Sequence, residues 1–373
     1  MSFEPRQILV IATPVMGDVL LSTPLVRSLR NAWPNAVIDV LTRPGGAAVL
    51  EGNPDVSNVL ELHKKPPARE LAAFLLRRFR KYDLVLSNSA SDRAFAYCLV
   101  MGKRRVSLVW HLHSNNALKQ RFYDHWVMID EDRYHTILQN LQLAEALGLK
   151  PQFDVVLPRT ADADRRIAAE LGADWVDHPY VVLHPDTAAP IKRWHKRGWH
   201  TLIRNLDARG LRVLVTGGPS AADRNYVETT LGFAELNVDV LAGKLRLGDV
   251  TALLEHATLF VGVDTLITHM AAAAGTPTIG IFGPFSPVKW GPWPRGWRGD
   301  NSPWLKDGSQ RLGNVAVLRG VKQCEPCGEP YYVKRTEECR KCLETLEAES
   351  VIAAIDDLLS SCLLYTSPSP RDS

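Results

Sequence analysis

Residues 7–42 read QILVIATPVMGDVLLSTPLVRSLRNAWPNAVIDVLT and contain the pattern of one βαβ unit. Residues 7–13 form an apolar run of strand length, and residues 19–33 carry apolar side chains at helical spacing. Residues 37–42 form a second apolar run. This succession of strand, helix and strand predicts a parallel α/β architecture.

The same alternation continues along the chain. A helical pattern covers residues 71–80, and strand-like runs follow at 82–87 and 106–110. The second half carries further strand-like runs at residues 180–184, 211–216, 237–241, 259–263 and 278–282. Helical patterns separate them at residues 199–208, 221–231, 248–256 and 266–274. We therefore predict two doubly wound parallel-sheet domains that face a central cleft.

The domain boundaries follow from these two series. We predict a first domain over residues 1–172 and a second over 173–360, with residues 350–359 as the last ordered element. Residues 361–373 have no period and resemble translated vector sequence, so we predict a disordered, non-native tail. The segment after Phe282 is predicted to be a long loop whose tryptophans either fill a hinge or stack on a sugar or base. They are Trp290, Trp293, Trp297 and Trp304.

Composition and charge narrow the classes of function. The chain has 373 residues, of which 46% are hydrophobic and 23% charged, as in an ordinary globular protein. Its 44 basic and 41 acidic side chains give a net charge of +3, which argues against nucleic-acid binding driven by the overall charge of the protein. No apolar run reaches the roughly 20 residues of a spanning helix, and the first run is too short for a secretory signal. We expect a cytoplasmic protein.

A carboxylate follows the first predicted strand. The residues between that strand and the next helix contain no G-x-G-x-x-G, the motif typical of a dinucleotide site. Its absence argues against a dinucleotide cofactor here. Asp18 lies there at a strand's carboxyl end and a helix's amino end, where it can face the cleft. The alternative is an N-cap, whose side-chain oxygen accepts a backbone N–H of the first helical turn.

Two segments of the second half carry a possible phosphate site. Thr187 follows a strand and leads to Lys192 and Arg193, and Asp264 with Thr265 opens a helix that contains His269. A helix amino terminus offers unpaired N–H groups and partial positive charge, so a diphosphate could lie over Thr265 with a cation closing on it. The alternatives are a cap for Asp264, solvated cations, and a core histidine.

Four cysteines cluster late in the chain, at Cys324, Cys327, Cys339 and Cys342. Two C-x-x-C pairs suit tetrahedral zinc, so we predict a structural metal, with free thiols as the alternative. A zinc knuckle that binds nucleic acid is a non-enzymatic alternative. Nearby glutamates largely cancel the basic residues that it would need.

Two basic runs lie in the first domain, at residues 77–81 and 103–105. The first run follows apolar residues of one helical face, and its simplest interpretation is a solvated face. The functional alternative is attraction to anionic lipid or to a phosphorylated lipid acceptor.

Five sequence blocks in order resemble one enzyme family. Residues 16–25 with 29–42, then Lys192-Arg193-Trp194, Thr216-Gly217-Gly218-Pro219, residues 261–273 and Phe282-Gly283-Pro284 resemble the lipopolysaccharide heptosyltransferases, glycosyltransferase family 9. The resemblance covers about residues 7–358. Leu266 stands where most relatives have Gly, and Phe285 where Thr is common.

The resemblance implies a fold, a reaction and roles for residues. It implies a GT-B fold of two Rossmann-like domains, with an ADP-heptose-type donor held mainly by the second and a glycolipid acceptor by the first. It also implies inversion at the anomeric carbon without a catalytic metal. Asp18 would be the general base, Lys192 a contact to the donor phosphates, and Asp264 with Thr265 the donor clamp. Other donor-side positions would be Thr187, Arg193, Gly217, Gly218, His269 and Gly283.

The function predicted in this way is transfer of a heptose or similar sugar onto the lipopolysaccharide core, with no nucleic-acid partner and with peripheral contact to the inner membrane. One rival is a nucleotide-sugar epimerase or hydrolase on the same scaffold, which would need no acceptor.

Overall fold

The structure is a computed structural model that describes residues 3–13, 15–110, 116–231, 237–320 and 341–366, and it describes the backbone alone at residues 116–117 and 361–366. The chain divides into two compact units. The first unit contains residues 1–160 and 298–302, and the second contains residues 161–297 and 303–373.

The first unit is built on a parallel sheet of six described strands in the order β3-β2-β1-β4-β5-β6. The strands are β1 (Gln7–Ile11), β2 (Val37–Thr42), β3 (Asn58–Glu61), β4 (Tyr82–Ser87), β5 (Gly102–Val109) and β6 (His125–Met128). The helices are α1 (Met16–Leu21), α2 (Thr23–Ala32), α3 (Gly46–Val49), α4 (Ala68–Leu76), α5 (Asp92–Met101), α6 (Asn116–Gln120) and α7 (Thr136–Glu145). Residues 8–11 are completely buried, as the apolar pattern of β1 predicts for a central parallel strand.

The second unit repeats this order around the sheet β12-β13-β11-β10-β7-β8-β9, in which β12 alone is antiparallel among the described strands. The strands are β7 (Tyr180–His184), β8 (Arg212–Val215), β9 (Asp239–Val240), β10 (Leu259–Val263), β11 (Thr278–Ile281), β12 (Gln310–Leu312) and β13 (Val315–Leu318). The helices are α8 (Ala163–Leu171), α9 (Lys196–Ala208), α10 (Ala221–Leu231), α11 (Leu247–His256), α12 (Leu266–Ala274), α13 (Pro287–Trp290), α14 (Lys341–Glu344) and α15 (Ala348–Thr366). A 3₁₀ turn covers Pro190–Lys192.

The prediction of one helix over residues 19–33 is wrong. The chain forms α1 and α2 instead, and Ser22 separates them. The Ser22 hydroxyl donates to Val19 O at 2.7 Å, and the Thr23 hydroxyl donates to Leu20 O at 2.7 Å. Pro24 has no N–H to continue the first helix, but it is well suited to the first turn of a second one.

Helix α8 packs with the second unit. Its Arg166 forms a bidentate ion pair with Asp249 of α11, at 2.6 and 3.0 Å. The compact units therefore divide between Thr160 and Ala161, whereas the predicted domain boundary after residue 172 lies on the other side of this helix.

Two segments of the second unit, its last helix and the stretch after Phe282, differ from the sequence predictions. Helix α15 continues to Thr366, whereas the sequence predicts a last ordered element over residues 350–359 and a disordered tail from residue 361. No proline or glycine interrupts the helical pattern before Pro368. The predicted long loop after Phe282 contains α13 and the β12–β13 hairpin, and Trp293 and Trp304 are buried in it. These two tryptophans fill core space.

Candidate active site

Both sheets reverse their strand order at one position. The reversal lies between β1 and β4 in the first unit, and between β7 and β10 in the second. Ligands of doubly wound sheets bind outside the carboxyl ends of the strands at this point, because the flanking loops separate there. Asp18 follows β1, Thr187 follows β7, and Asp264 follows β10. These three residues therefore lie just after the strands at the two reversals.

Asp18 is a buried carboxylate in the first turn of α1, with 7% of its surface exposed. Its Oδ2 accepts the backbone N–H of Val15 at 3.1 Å. Val15 is the N-cap and Asp18 is the third helical residue, so the alternative that Asp18 is itself the N-cap is wrong. Helix α1 begins at Met16, and the carboxylate reaches back to satisfy the N-cap donor.

A second polar group at this edge was missed by sequence analysis. Asn88 follows β4, and its Oδ1 is buried without a hydrogen-bond partner among the residues that the structure describes. Its backbone N–H donates to Ile11 O of β1 at 3.2 Å, which places it at the strand-order reversal. The run Ser87-Asn88-Ser89 after an apolar strand is the signal that could have found it.

Lys192 and Asp264 form an ion pair at the corresponding edge of the second unit. Lys192 Nζ lies 2.7 Å from Asp264 Oδ2 and 3.4 Å from the Asp264 carbonyl oxygen. The Asp264 side chain is 5% exposed and that of Lys192 is 20% exposed. Lys192 Nζ also lies 4.3 Å from the centre of the Phe285 ring. Phe285, one of the two departures from the family pattern, therefore packs over the ammonium group.

Thr265 is the N-cap of α12, and its side chain makes no capping hydrogen bond. The first N–H groups of a helix have no partner within the helix, so this end can receive an anion. Leu266, the other departure from the family pattern, is the first helical residue. The structure thus brings the Lys192 ammonium, the Asp264 carboxylate and a helix amino terminus together.

His269 lies one turn into α12 and is 6% exposed. Its Nδ1 is buried without a hydrogen-bond partner in the described part of the chain. Burial lowers its pKa from 6.5 to about 4, against the opposing effect of Asp264, and Lys192 lowers it further. At neutral pH the imidazole is therefore uncharged and can contribute a hydrogen bond, but not a positive charge.

Arg193 does not join the Lys192–Asp264 pair. Its Nη2 donates to Asp186 Oδ1 at 2.9 Å, and its guanidinium lies 3.6 Å from the centre of the Tyr226 ring. Burial raises the pKa of Asp186, and Arg193 acts in the opposite direction. These contacts fix the position of Arg193, which directly follows the 3₁₀ turn, so Arg193 holds the end of that turn.

The remaining predicted positions have local contacts. The Thr187 hydroxyl accepts the Ala189 N–H at 3.3 Å. A Cβ on Gly218 would lie 2.3 Å from Asp223 Oδ2, and one on Gly283 would lie 2.8 Å from Leu343 Cδ1. Close packing is therefore one reason for both glycines. Gly217 is similar, because a Cβ there would lie 2.9 Å from a Val227 methyl carbon.

His184 lies at the end of β7 and is not among the site residues that the sequence predicts. Its Nδ1 lies 2.9 Å from the Thr216 hydroxyl, and burial lowers its pKa to about 4, with Asp223 acting in the opposite direction.

Two buried neutral histidines predict a stability that depends on pH. Because the pKa values of His184 and His269 are lower in the folded state, the unfolded chain binds more protons between about pH 6.5 and 4. We therefore expect the free energy of unfolding to decrease as the pH is lowered from about 6.5 to 4. The decrease should be at most about 1.4 kcal/mol per pH unit for each histidine. Urea unfolding at a series of pH values measures this slope.

His269→Gln should reduce the slope, and His63→Gln is the matched control because His63 is exposed. An unchanged slope in His269→Gln would contradict the assignment of a neutral buried imidazole.

Comparisons with known proteins identify the family. The family profile described as glycosyltransferase family 9 (heptosyltransferase) matches residues 75–298. The chain is 30% identical over 366 residues to lipopolysaccharide heptosyltransferase 3 of Escherichia coli, covering 94% of this chain and 98% of that relative.

Solved structures show the same fold. A glycosyl transferase family 9 protein from Veillonella parvula has a TM-score of 0.74 at 19% identity, covering 97% of this chain and 99% of that one. An E. coli heptosyltransferase solved with ADP-2-deoxy-2-fluoro heptose has a TM-score of 0.65 at 23% identity, covering 94% and 99%. The predicted GT-B fold is confirmed.

Proposed function

Because the chain belongs to glycosyltransferase family 9, we propose that it transfers a heptose from an ADP-heptose-type donor to the core of a lipopolysaccharide acceptor. Glycosyltransferase activity follows from the family itself. The choice of donor and acceptor is supported by the relative that is named lipopolysaccharide heptosyltransferase 3 and by the solved heptosyltransferase with a fluorinated ADP-heptose.

The carrying observation is the group formed by Lys192, Asp264 and the amino end of α12. A nucleotide diphosphate leaves with additional negative charge, and preorganised cations and N–H groups stabilise such charge best. Lys192, Thr265 and the first N–H groups of α12 would face the diphosphate. Asp264 orients Lys192, and neutral His269 offers a hydrogen bond. The positions Thr187, Gly217, Gly218 and Gly283 would shape the same donor site.

Asp18 is the proposed general base of the first unit, which would bind the acceptor. As the acceptor hydroxyl oxygen bonds to the anomeric carbon, its proton passes to the Asp18 carboxylate. The bond between that carbon and the diphosphate oxygen breaks, and the electron pair leaves with ADP. Attack opposite to the leaving group inverts the anomeric configuration. The hydrogen bond from Val15 fixes one carboxylate oxygen during this step.

The direct test is an incubation with ADP-heptose, with and without a lipopolysaccharide core acceptor. We expect ADP release to depend on the acceptor and the product to carry the inverted linkage. ADP release at the same rate without an acceptor would favour the hydrolase, and conversion of the free nucleotide sugar would favour the epimerase.

A structural zinc is a separate proposal, which rests on the spacing of the four cysteines. Cys324, Cys327 and Cys339 lie outside the described residues, and Cys342 is buried in α14. Gly320 and Cys342 lie on either side of residues 321–340. They are close together in space, since a Cβ on Gly320 would be 1.7 Å from Cys342 O. The described residues on either side of positions 321–340 therefore lie close together, which suits closure of this stretch by a metal. Among the described residues, no group of three or more metal-ligating side chains occurs.

Metal analysis tests this proposal. Protein purified without chelator should contain close to one equivalent of zinc, and Cys324→Ser should lower that content. Substoichiometric metal with four titratable thiols in the folded protein would contradict it.

We also propose a cytoplasmic location with peripheral contact to the inner membrane. No helix in the described part of the chain is long and apolar enough to cross a bilayer. An acceptor with a lipid anchor lies in the membrane surface, so the enzyme has to reach that surface to act on it.

A further inference from the structure

The two basic runs of the first unit meet at the amino ends of its strands. Residues 77–81 lead into β4, and residues 103–105 lie near the start of β5, which pairs with β4 in register from Tyr82 and Gly102. The Arg80 N–H donates to Val100 O at 2.9 Å, which ties the first run to the end of α5. One edge of the sheet therefore carries both runs, and it is the edge opposite to the strand ends that precede Asp18.

Most of this charge is not neutralised locally. Lys81 pairs with Asp39 at 3.5 Å, and Lys103 pairs with Asp83 at 2.9 Å. Five arginines of the two runs have no carboxylate within 4.0 Å in the described parts of the chain. They are Arg77, Arg78, Arg80, Arg104 and Arg105. The Arg104 guanidinium packs over the Phe3 ring at 4.0 Å, and the Nε of Arg105 is buried. We therefore call the surface formed by Arg77, Arg78 and Arg80 with Leu76 and Phe79 the basic edge.

Two large apolar side chains project among these cations. Leu76 is 75% exposed and Phe79 is 65% exposed. Leu76 ends α4, and the Phe79 N–H donates to its carbonyl, so both side chains belong to one tight turn. Scattered single apolar residues are normal on a protein surface, but a pair three residues apart within a cluster of arginines is a specific combination.

The turn also contains a residue with an unfavourable backbone conformation. Arg80 has φ of 48°, in the left-handed region that glycine occupies more readily. A non-glycine residue is disfavoured in this conformation, so an arginine here places an exposed cation in the turn at the expense of stability.

We propose that the basic edge docks this enzyme on a bilayer of anionic phospholipid. Leu76 and Phe79 would enter the headgroup region, while the surrounding arginines contact lipid phosphates. Nucleic acid would use the cations and could stack on Phe79, but it would leave Leu76 exposed, so the aliphatic side chain favours lipid. The proposal deepens the peripheral membrane contact proposed above, yet its location is separate from the residues assigned to sugar transfer.

Vesicle sedimentation tests this docking. The full chain should bind vesicles of equal parts phosphatidylcholine and phosphatidylglycerol, and bind phosphatidylcholine alone much more weakly. Each cation near an anionic surface contributes about 1 kcal/mol, so Arg77→Gln with Arg80→Asn should lower the association constant roughly thirtyfold. Asn is chosen at position 80 because it tolerates the left-handed backbone.

The matched control is Lys64→Gln with Lys65→Gln, which removes the same charge from an exposed loop after β3. It should retain most of the vesicle binding. Leu76→Ser with Phe79→Ser should weaken binding without changing charge. Equal loss in the lysine control, or binding to a short DNA duplex but not to vesicles, would overturn the proposal.

A transfer assay with a deacylated, water-soluble acceptor separates this result from the proposed function. The arginine variant should keep wild-type transfer there if the basic edge serves only the membrane. Absence of transfer by the wild-type chain would count against the proposed function and leave the vesicle result standing.

Discussion

Asp18→Asn is expected to lower turnover about a hundredfold or more while leaving the protein folded. The amide cannot take the proton of the acceptor hydroxyl at neutral pH. Its oxygen can still accept the Val15 N–H, which the carboxylate accepts at 3.1 Å. The free energy of unfolding should therefore fall by less than about 1 kcal/mol, mainly from loss of the negative charge at the start of α1. Steady-state kinetics and urea unfolding give the two quantities.

Donor binding provides the internal check. ADP affinity, measured by calorimetry, should remain close to wild type because the proposed donor contacts belong to the second unit. An Asp18→Asn enzyme with normal turnover would show that the carboxylate serves only the helix, and the proposed mechanism would lose its base.

A matched control isolates the helical role. Asp223 stands in the same relation to α10, because its Oδ2 accepts the Ser220 N–H at 3.1 Å. Asp223→Asn should have a similar effect on stability, but a much smaller effect on turnover. A comparable loss of turnover in both variants would point to a general effect of weakened helix starts.

Sequence patterns were sufficient for the fold because its central strands are apolar on both faces. Strand β10 is buried throughout and β1 is buried except at Gln7, so each reads as a continuous apolar run. Asp18 and Asp264 could be chosen because each follows such a run directly. Helix continuity was harder to predict, since the Ser22 and Thr23 hydroxyls compete for the carbonyls that would have continued α1.

The pairing of site residues could not be predicted. Lys192 and Asp264 are 72 positions apart, and nothing local to either residue specifies the other. Arg193 is also a cation and follows Lys192 directly, but the fold directs it to Asp186 and Tyr226. Asn88 was missed because a short polar run after a strand is a weak sequence signal, while its buried Oδ1 is visible only in three dimensions.

Lys192→Gln is expected to produce the largest loss on the donor side. A single group that stabilises charge in the transition state is worth about a hundredfold to a thousandfold in rate, and a glutamine supplies no positive charge. We expect kcat/KM to fall by that amount and ADP to bind more weakly. Lys192→Arg should retain part of the activity, because the charge remains but the guanidinium is larger and planar.

Loss of Lys192 has a second effect, which has to be separated from the first. The Asp264 carboxylate is almost buried and would lose its ion-pair partner, so stability should fall by about 3 kcal/mol. The double variant Lys192→Gln with Asp264→Asn removes both charges and should recover most of that stability. It should not recover turnover, because the diphosphate would still face no cation. If stability and turnover both return in the double variant, the pair only holds the fold together, and the charge on the leaving nucleotide must be stabilised by other groups.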